Sequence, residues 1–262
     1  MSAATYHAQT AKGQYVHFVI PAYNESASIG DLIDRIGEFC TQASLKFRIL
    51  VIDDGSVDKT GEISRDRAQI WPVEVLRNDP NGGLGYTIRR GLKTASETAG
   101  SEDILVTLDA DLTQDPKYTL SMLNEISKGA DVVIASRYRK GSKVNGLSLF
   151  RLGLSYGASA FIMLLRPIQG VRDYSCGFRA YRSSAIKWGF ERFGDNFISE
   201  QGFACMVEIA ERLRDNAIFK EVPFVLHYEA KRKSSEIKVW PTILAYIRVM
   251  MRIRKDLQTS NP

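Results

Sequence analysis

Two aspartates one residue apart, Asp109 and Asp111, follow the apolar run Ile104–Leu108 and come just before the helix-opening pair Asp115-Pro116. Carboxylates so placed at a strand end can offer hard oxygen ligands to one divalent cation. Mg²⁺ or Mn²⁺ is commonly held by one or two carboxylates together with substrate phosphates. The Asp109-Ala110-Asp111 triplet alone would equally make a solvated turn; the strand before it and the helix after it favour the cation. A second acid pair, Asp53-Asp54, closes the run Phe47–Asp53 and leads into Gly55-Ser56. A carboxylate there can accept from a nucleobase N–H or a ribose hydroxyl, and the same residues also suit a strand-to-helix turn with a cap at Ser56 or Asp58. Pro21-Ala22-Tyr23-Asn24-Glu25 closes a third run, where Tyr23 could stack on a base and Glu25 could bind a sugar hydroxyl. Asn81-Gly82-Gly83-Leu84-Gly85 can bring backbone close to a diphosphate or serve as a plain loop and helix start.

Such residues need a rigid frame, and the patterning supplies one. Strands are expected at Tyr15–Pro21, Phe47–Asp53, Val73–Leu76 and Ile104–Asp109, with helices between them at Ser28–Cys40, Asp58–Ile70 and Leu84–Thr98. A Ser28/Asp31 capping box is expected to open the first helix. A helix from Pro116 and a strand Asp131–Ala135 continue the alternation, which is the mark of an α/β fold with a mostly parallel sheet. The acid pairs at two strand ends then face one crevice. Beyond residue 136 the pattern loosens into an amphipathic segment Leu149–Leu165, a helix Glu200–Arg214, a strand Phe219–Val225 and a helical pattern Ile237–Lys255. The division expected is a tail 1–14, a catalytic domain 15–230 with halves 15–136 and 137–230, and a basic loop with a C-terminal amphipathic helix at 231–262.

The chain has 262 residues, 44% hydrophobic, enough for one domain with a sizeable core. Its net charge of +5 is unevenly spread. Residues 1–136 carry 13 basic and 19 acidic side chains, residues 137–187 carry 10 and 1, residues 188–219 carry 3 and 6, and residues 220–262 carry 9 and 4. Alternating blocks exclude a uniform nucleic-acid coat and suggest one surface for a cation and another for an anion or a charged membrane. Cys40, Cys176 and Cys205 form no CxxC and are odd in number, against a disulfide framework or zinc site and for a reducing, cytoplasmic setting. Residues 1–14 lack a secretory apolar core. The weakly polar run Leu152–Leu165, 14 residues, is shorter than the roughly 20 needed to span a bilayer. Of the three histidines, His17 lies inside a strand pattern and is expected to be packed.

Together PAYNE (Pro21–Glu25), DDGS (Asp53–Ser56), DAD (Asp109–Asp111), SRY (Ser136–Tyr138) and CGFR (Cys176–Arg179) resemble, in order and spacing, the family 2 glycosyltransferases. The dolichol-phosphate mannosyltransferase, or polyprenyl-phosphate sugar synthase, branch is the most similar. The likeness covers about residues 15–240. It implies a GT-A fold, a nucleotide-sugar donor, Mg²⁺ or Mn²⁺ and inversion at the anomeric carbon. Carried over by position, it assigns Pro21, Tyr23, Glu25, Ile52 and Asp54, with Asp53 beside them, to the nucleotide pocket. It assigns Asp109, Ala110 and Asp111 to the metal and diphosphate-sugar, and Arg137 to phosphate. Some relatives add a Gln two residues after the second Asp; here that place is Thr113, with Gln114 one further on. A Ser-Lys dipeptide on a closing loop of this branch is replaced by Ser235-Glu236; either Lys233 or Lys238 supplies the missing charge, or the loop is specialised for another donor or acceptor.

The resulting expectation is transfer of a hexose from GDP-mannose, or second UDP-glucose, to a polyprenyl or dolichyl phosphate. The +9 block from Arg137 to Lys187 suits an anionic head group or membrane face, and Phe150, Leu154, Phe161, Ile162 and Leu165 would cover a lipid chain or else join the core. Peripheral contact with the cytoplasmic membrane face, or a membrane partner protein, would follow; nucleic acid would not. A hydroxyl acceptor would instead need a base, for which Glu200 at a helix start is the candidate. A sugar-phosphate nucleotidyltransferase is a distant alternative, disfavoured because Pro21–Glu25 stands where a Gly-rich, Arg-bearing loop would be expected.

Overall fold

The computed structural model describes residues 13–147, 149–232, 245–246, 248–249 and 251–253. Lys233, Lys238 and Glu236 therefore lie outside the described residues, as does most of the expected C-terminal helix. In chain order the elements are β1 (Tyr15–Ala22), α1 (Ile29–Gln42), β2 (Lys46–Asp53), α2 (Thr60–Asp66), β3 (Val73–Arg77), α3 (Gly83–Thr98), β4 (Ile104–Thr107), α4 (Thr119–Ser127) and β5 (Val132–Ser136). They continue as β6 (Lys143–Asn145), α5 (Leu149–Leu165), β7 (Arg179–Arg182), α6 (Ser183–Phe193), α7 (Cys205–Leu213), β8 (Phe219–Pro223) and β9 (Val225–His227).

Seven strands form one sheet in the order β3-β2-β1-β4-β7-β5-β8, and β6 pairs with β9 beside it. Val16–Ile20 and Val132–Ala135 are buried on both faces, as the strands of a helix-covered parallel sheet must be. The register sets Ala22 opposite Asp53 and Val19 opposite Thr107. The chain runs outward from β1 to β2 and β3, then returns to place β4 on the other side of β1. That reversal makes a crevice at the carboxyl ends of β1, β2 and β4. β7 is antiparallel to both of its neighbours, β4 and β5; its residues, Arg-Ala-Tyr-Arg, carry too little apolar pattern to announce a strand.

α1 buries Ile29, Leu32, Ile33, Ile36 and Cys40, one stripe at helical spacing. Its expected capping box is not formed. The Ser28 hydroxyl donates instead to the Glu25 carboxylate at 2.8 Å, and Asp31 pairs with Arg232 at 2.7 Å. The expected helix from Glu200 begins only at Cys205, and the strand expected over 219–225 is split at Phe224. His17 is buried beside Asp103 at 3.2 Å, and burial lowers its pKa. All three cysteines are buried and unpaired by disulfides. On α5, Ile162 joins the core, whereas Tyr156, Phe161, Met163, Leu164 and Leu165 face outward. No helix among the described residues is long and apolar enough to cross a membrane.

Candidate active site

The end of β1 turns through Asn24, whose φ of 54° a short polar side chain tolerates. Its backbone N–H donates to Ser56 Oγ at 2.9 Å, and its Oδ1 accepts from Val57 N at 2.8 Å, so the PAYNE and DDGS turns are laced together. The ring of Tyr23 is exposed at the crevice rim, while Glu25 N donates to Thr60 Oγ1 at 2.7 Å.

Asp53 and Asp54 are both buried, and the chain itself engages both carboxylates. Asp53 accepts from Ser56 N at 2.9 Å and from the Arg77 guanidinium at 2.6 Å. Asp54 accepts from Asn78 Nδ2 at 2.7 Å and from the backbone N–H groups of Gly82 and Gly83, each at 2.9 Å. These contacts fasten the glycine-rich turn and the start of α3 to the end of β2, satisfying N–H groups that a helix start leaves open. Ile52 is buried beneath α3, where a side chain at Gly91 would lie 2.6 Å from it.

Asp109 and Asp111 sit just past β4 and are wired differently. Gln114 grips Asp109 from both sides, accepting from its backbone N–H at 2.9 Å and donating to Oδ2 at 2.7 Å. Thr113 donates its N–H and hydroxyl to Asp111 Oδ1, at 3.1 and 2.7 Å. The other oxygen, Oδ2, carries the Lys231 ammonium at 2.7 Å. Leu112, directly after Asp111, takes a φ of 65° in this turn. Burial, and then the charge of Asp111, push the Asp109 carboxyl up to about 7. Gly177 lets β7's approach pass close by: a methyl group there would stand 3.2 Å from Asp109 Oδ1. Pro21, Leu84, Asp109, Ser175, Gly177 and Phe203 line a small cavity of about 30 Å³ in the floor of this crevice.

Two oxygen donors from Asp109 and Asp111 suit a hard divalent cation whose shell is completed by diphosphate oxygens and water. The ammonium already seated on Asp111 marks the direction in which that carboxylate meets positive charge. Among the described residues no group of three or more His, Cys, Asp or Glu side chains gathers as a cation site.

Arg137 makes a buried fork with Asp173, at 2.8 and 2.7 Å, and extends to Ser175 Oγ at 2.7 Å, on the cavity wall. Burial opposes its charge, but Asp173 outweighs that and raises its pKa. Arg179 of CGFR is fully buried and donates to the carbonyls of Cys176, Met206 and Tyr174, holding the loop that carries Gly177. Arg139 pairs with Glu221 and Arg166 with Glu211, and Lys187 donates to the Ala99 carbonyl at 2.6 Å. The basic block is thus largely consumed inside the fold, contrary to the outward anionic-partner face its composition suggested. Lys140, Lys143 and Arg172 remain exposed.

Glu200 lies in the loop before α7 rather than at a helix start. Glu208, buried in α7, accepts from the backbone N–H groups of Ser199 and Glu200, each at 2.8 Å. Arg252 binds Glu208 at 2.8 Å and stands 3.8 Å from the Glu200 carboxylate. The Gln201 carbonyl accepts from Gly85 N at 2.7 Å, which seats this loop on the start of α3.

The sequence matches the Glycosyl transferase family 2 profile over residues 17–190. It is 32% identical to a dolichol-phosphate mannosyltransferase of Pyrococcus furiosus over 92% of this chain, and spans 64% of that relative's length. It is 30% identical to a polyprenol monophosphomannose synthase of Mycolicibacterium smegmatis, over 78% of this chain and 74% of the relative. Among solved structures, a glucosyl-3-phosphoglycerate synthase of Mycobacterium tuberculosis, crystallised with Mn²⁺, UDP-glucose and phosphoglyceric acid, superposes with a TM-score of 0.68. It shares 19% identity, over 95% of this chain and 82% of that one. The mostly parallel seven-stranded sheet flanked by helices is the GT-A architecture of these neighbours.

Proposed function

Because the chain belongs to glycosyl transferase family 2, we propose that it moves a hexose from a nucleoside-diphosphate sugar to a polyprenyl or dolichyl phosphate, with GDP-mannose the first donor to try and UDP-glucose the second. The acid pair Asp109/Asp111 just past β4, with Asp111 Oδ2 meeting the Lys231 ammonium, is the observation that carries this reading. The names of the Pyrococcus and Mycolicibacterium relatives support the lipid-phosphate acceptor.

In this reading Asp109 and Asp111 would hold Mg²⁺ or Mn²⁺, which when bound would offset negative charge on the diphosphate. Tyr23 stacks on the base, with Pro21 and Glu25 around it, while Ile52, buried beneath α3, backs the pocket from the core rather than lining it. Asp53 and Asp54 shape the pocket through the turns they fasten. An acceptor phosphate oxygen attacks the anomeric carbon while the bond from that carbon to the diphosphate oxygen breaks. A phosphate is already ionised at neutral pH, so no general base is required. Arg137, its charge matched by Asp173, contributes by holding Ser175 on the cavity wall, and Lys233 and Lys238 would add cations toward the diphosphate. The outward apolar face of α5, with Lys140, Lys143 and Arg172 exposed, supports peripheral contact with an anionic bilayer; each cation near such a surface adds about 1 kcal/mol.

The test is transfer of radiolabelled sugar from a panel of nucleotide sugars to polyprenyl phosphate, with Mn²⁺ and Mg²⁺, read in the organic phase. One donor giving labelled lipid, lost in Asp111→Asn and retained in Glu200→Gln, is the expected result. Loss in Glu200→Gln with transfer to a hydroxyl acceptor would overturn the phosphate acceptor. Full activity of Asp111→Asn would overturn the cation role.

A further inference from the structure

Asp111 has two carboxylate oxygens and they are not equivalent. Oδ1 accepts both the N–H and the hydroxyl of Thr113. Oδ2 is thus the oxygen turned toward an incoming cation, and the Lys231 ammonium occupies it at 2.7 Å. The contact is sheltered, with the lysine side chain 19% and the aspartate side chain 10% exposed. Nor is it an accident of a loose side chain. His227 N donates to the Thr113 carbonyl at 2.9 Å, which fastens the end of β9 to the Asp109–Gln114 turn and delivers residue 231 beside it. The next residue, Arg232, reaches the opposite way, to the Ala27 carbonyl and to Asp31 at 2.7 Å. Residues 231 and 232 therefore bridge the turn after β4 and the start of α1.

We infer that Lys231 is a tethered competitor for the divalent cation: it neutralises Asp111 in the donor-free protein, and must leave Oδ2 when a metal–diphosphate unit arrives. This rests on the assignment of Asp109 and Asp111 to the cation. Two positive charges cannot share one carboxylate oxygen at contact distance, since at such separations their repulsion is large even in a partly hydrated site. A lone divalent ion has to displace a built-in counter-ion and binds weakly. A cation bearing a nucleoside diphosphate brings new anionic oxygens for the released ammonium to meet, so the exchange conserves ion pairs. Lys231 thereby couples cation binding to nucleotide binding, and it is a positioning residue for the donor rather than a group that touches reacting atoms before the donor is present.

The coupling is read with the full chain and MnCl₂, following the free Mn²⁺ signal by electron paramagnetic resonance, without and with GDP or UDP. Lys231→Gln is expected to tighten nucleotide-free Mn²⁺ binding about tenfold and to reduce the gain in Mn²⁺ affinity that the nucleotide gives. Lys231→Arg keeps the competing charge and should resemble the parent. Equal or weaker Mn²⁺ binding by Lys231→Gln, with binding abolished in Asp111→Asn, would overturn the inference while leaving the cation site standing. If neither the parent nor Lys231→Gln binds Mn²⁺, even with nucleotide, the cation assignment itself fails and the inference with it.

Discussion

The two acid pairs look alike in the sequence and differ in the fold. Asp53 and Asp54 are closed off: one carboxylate is matched by Arg77 and a backbone N–H, the other by Asn78 and the two glycine N–H groups that begin α3. Asp109 and Asp111 are held by the turn they belong to. Their neighbours Gln114 and Thr113 orient them without neutralising them, and one distant lysine supplies the positive charge. The first pair fastens turns and the second holds charge in reserve. Acid content at a strand end does not separate these roles; where the donors come from does. Those of the first pair belong to the turns and the helix start it fastens, and the cation of the second reaches in from residue 231.

Substitutions should break that contrast in graded ways. Asp111→Asn is expected to lower metal-dependent transfer at least about 100-fold with the unfolding midpoint little changed, because it removes charge from a site whose hydrogen bonds the amide can partly replace. An assay of labelled lipid beside a thermal melt checks both halves. Asp54→Ala should do the reverse, costing about 3 kcal/mol of stability through N–H groups left without acceptors. A denaturant titration reads it, and a loss below about 1 kcal/mol would refute the fastening role assigned to that carboxylate. Asp109 sharpens the comparison through pH. Its carboxyl rises from an ordinary 3.8 to about 7 in the fold, so the folded state keeps a proton that the unfolded chain gives up. Stability from this group is present below the unfolded value and is lost as pH climbs through about 7. Asp109→Asn should flatten the decline in melting temperature between pH 5 and pH 8 in metal-free buffer; an unchanged decline would refute it. The smallest effect belongs to Arg232→Ala, whose exposed pair with Asp31 should cost no more than about 0.5 kcal/mol.

Much of this frame is legible in the sequence. The first five strands and the first three helices follow from apolar runs and helical stripes, because burial on two faces or one leaves a periodic trace. The acid pairs and the PAYNE turn are visible for the same reason: they interrupt those runs where a parallel sheet opens. Lys231 is not visible as a partner of Asp111, since 120 residues separate them and only β9 docking on the Asp109–Gln114 turn brings them together. The basic block misleads for a related reason. Composition counts Arg137, Arg139 and Arg166 but cannot tell that Asp173, Glu221 and Glu211 meet them in the interior. Asp173, the single acid among ten basic residues, is the one local hint. Glu200 fails as a helix opener because Glu208, one helix turn inside α7, holds the preceding loop in place.

β7 carries a consequence for how the chain is made. It fills the place between β4 and β5, yet it emerges more than forty residues after β5. While residues 137–178 are being synthesised, the nascent protein has the parallel strands β1–β4 and, apart from them, β5, with no strand to join the two. The facing edges of β4 and β5 then stay unpaired, a state prone to pairing with other chains. β4 and β5 are joined only once Arg179–Arg182 slides in antiparallel to both, and that same stroke carries Gly177 to Asp109. The joining of β4 to β5 and the arrival of Gly177 beside the acid pair are therefore one event, with β8 and Lys231 still to come.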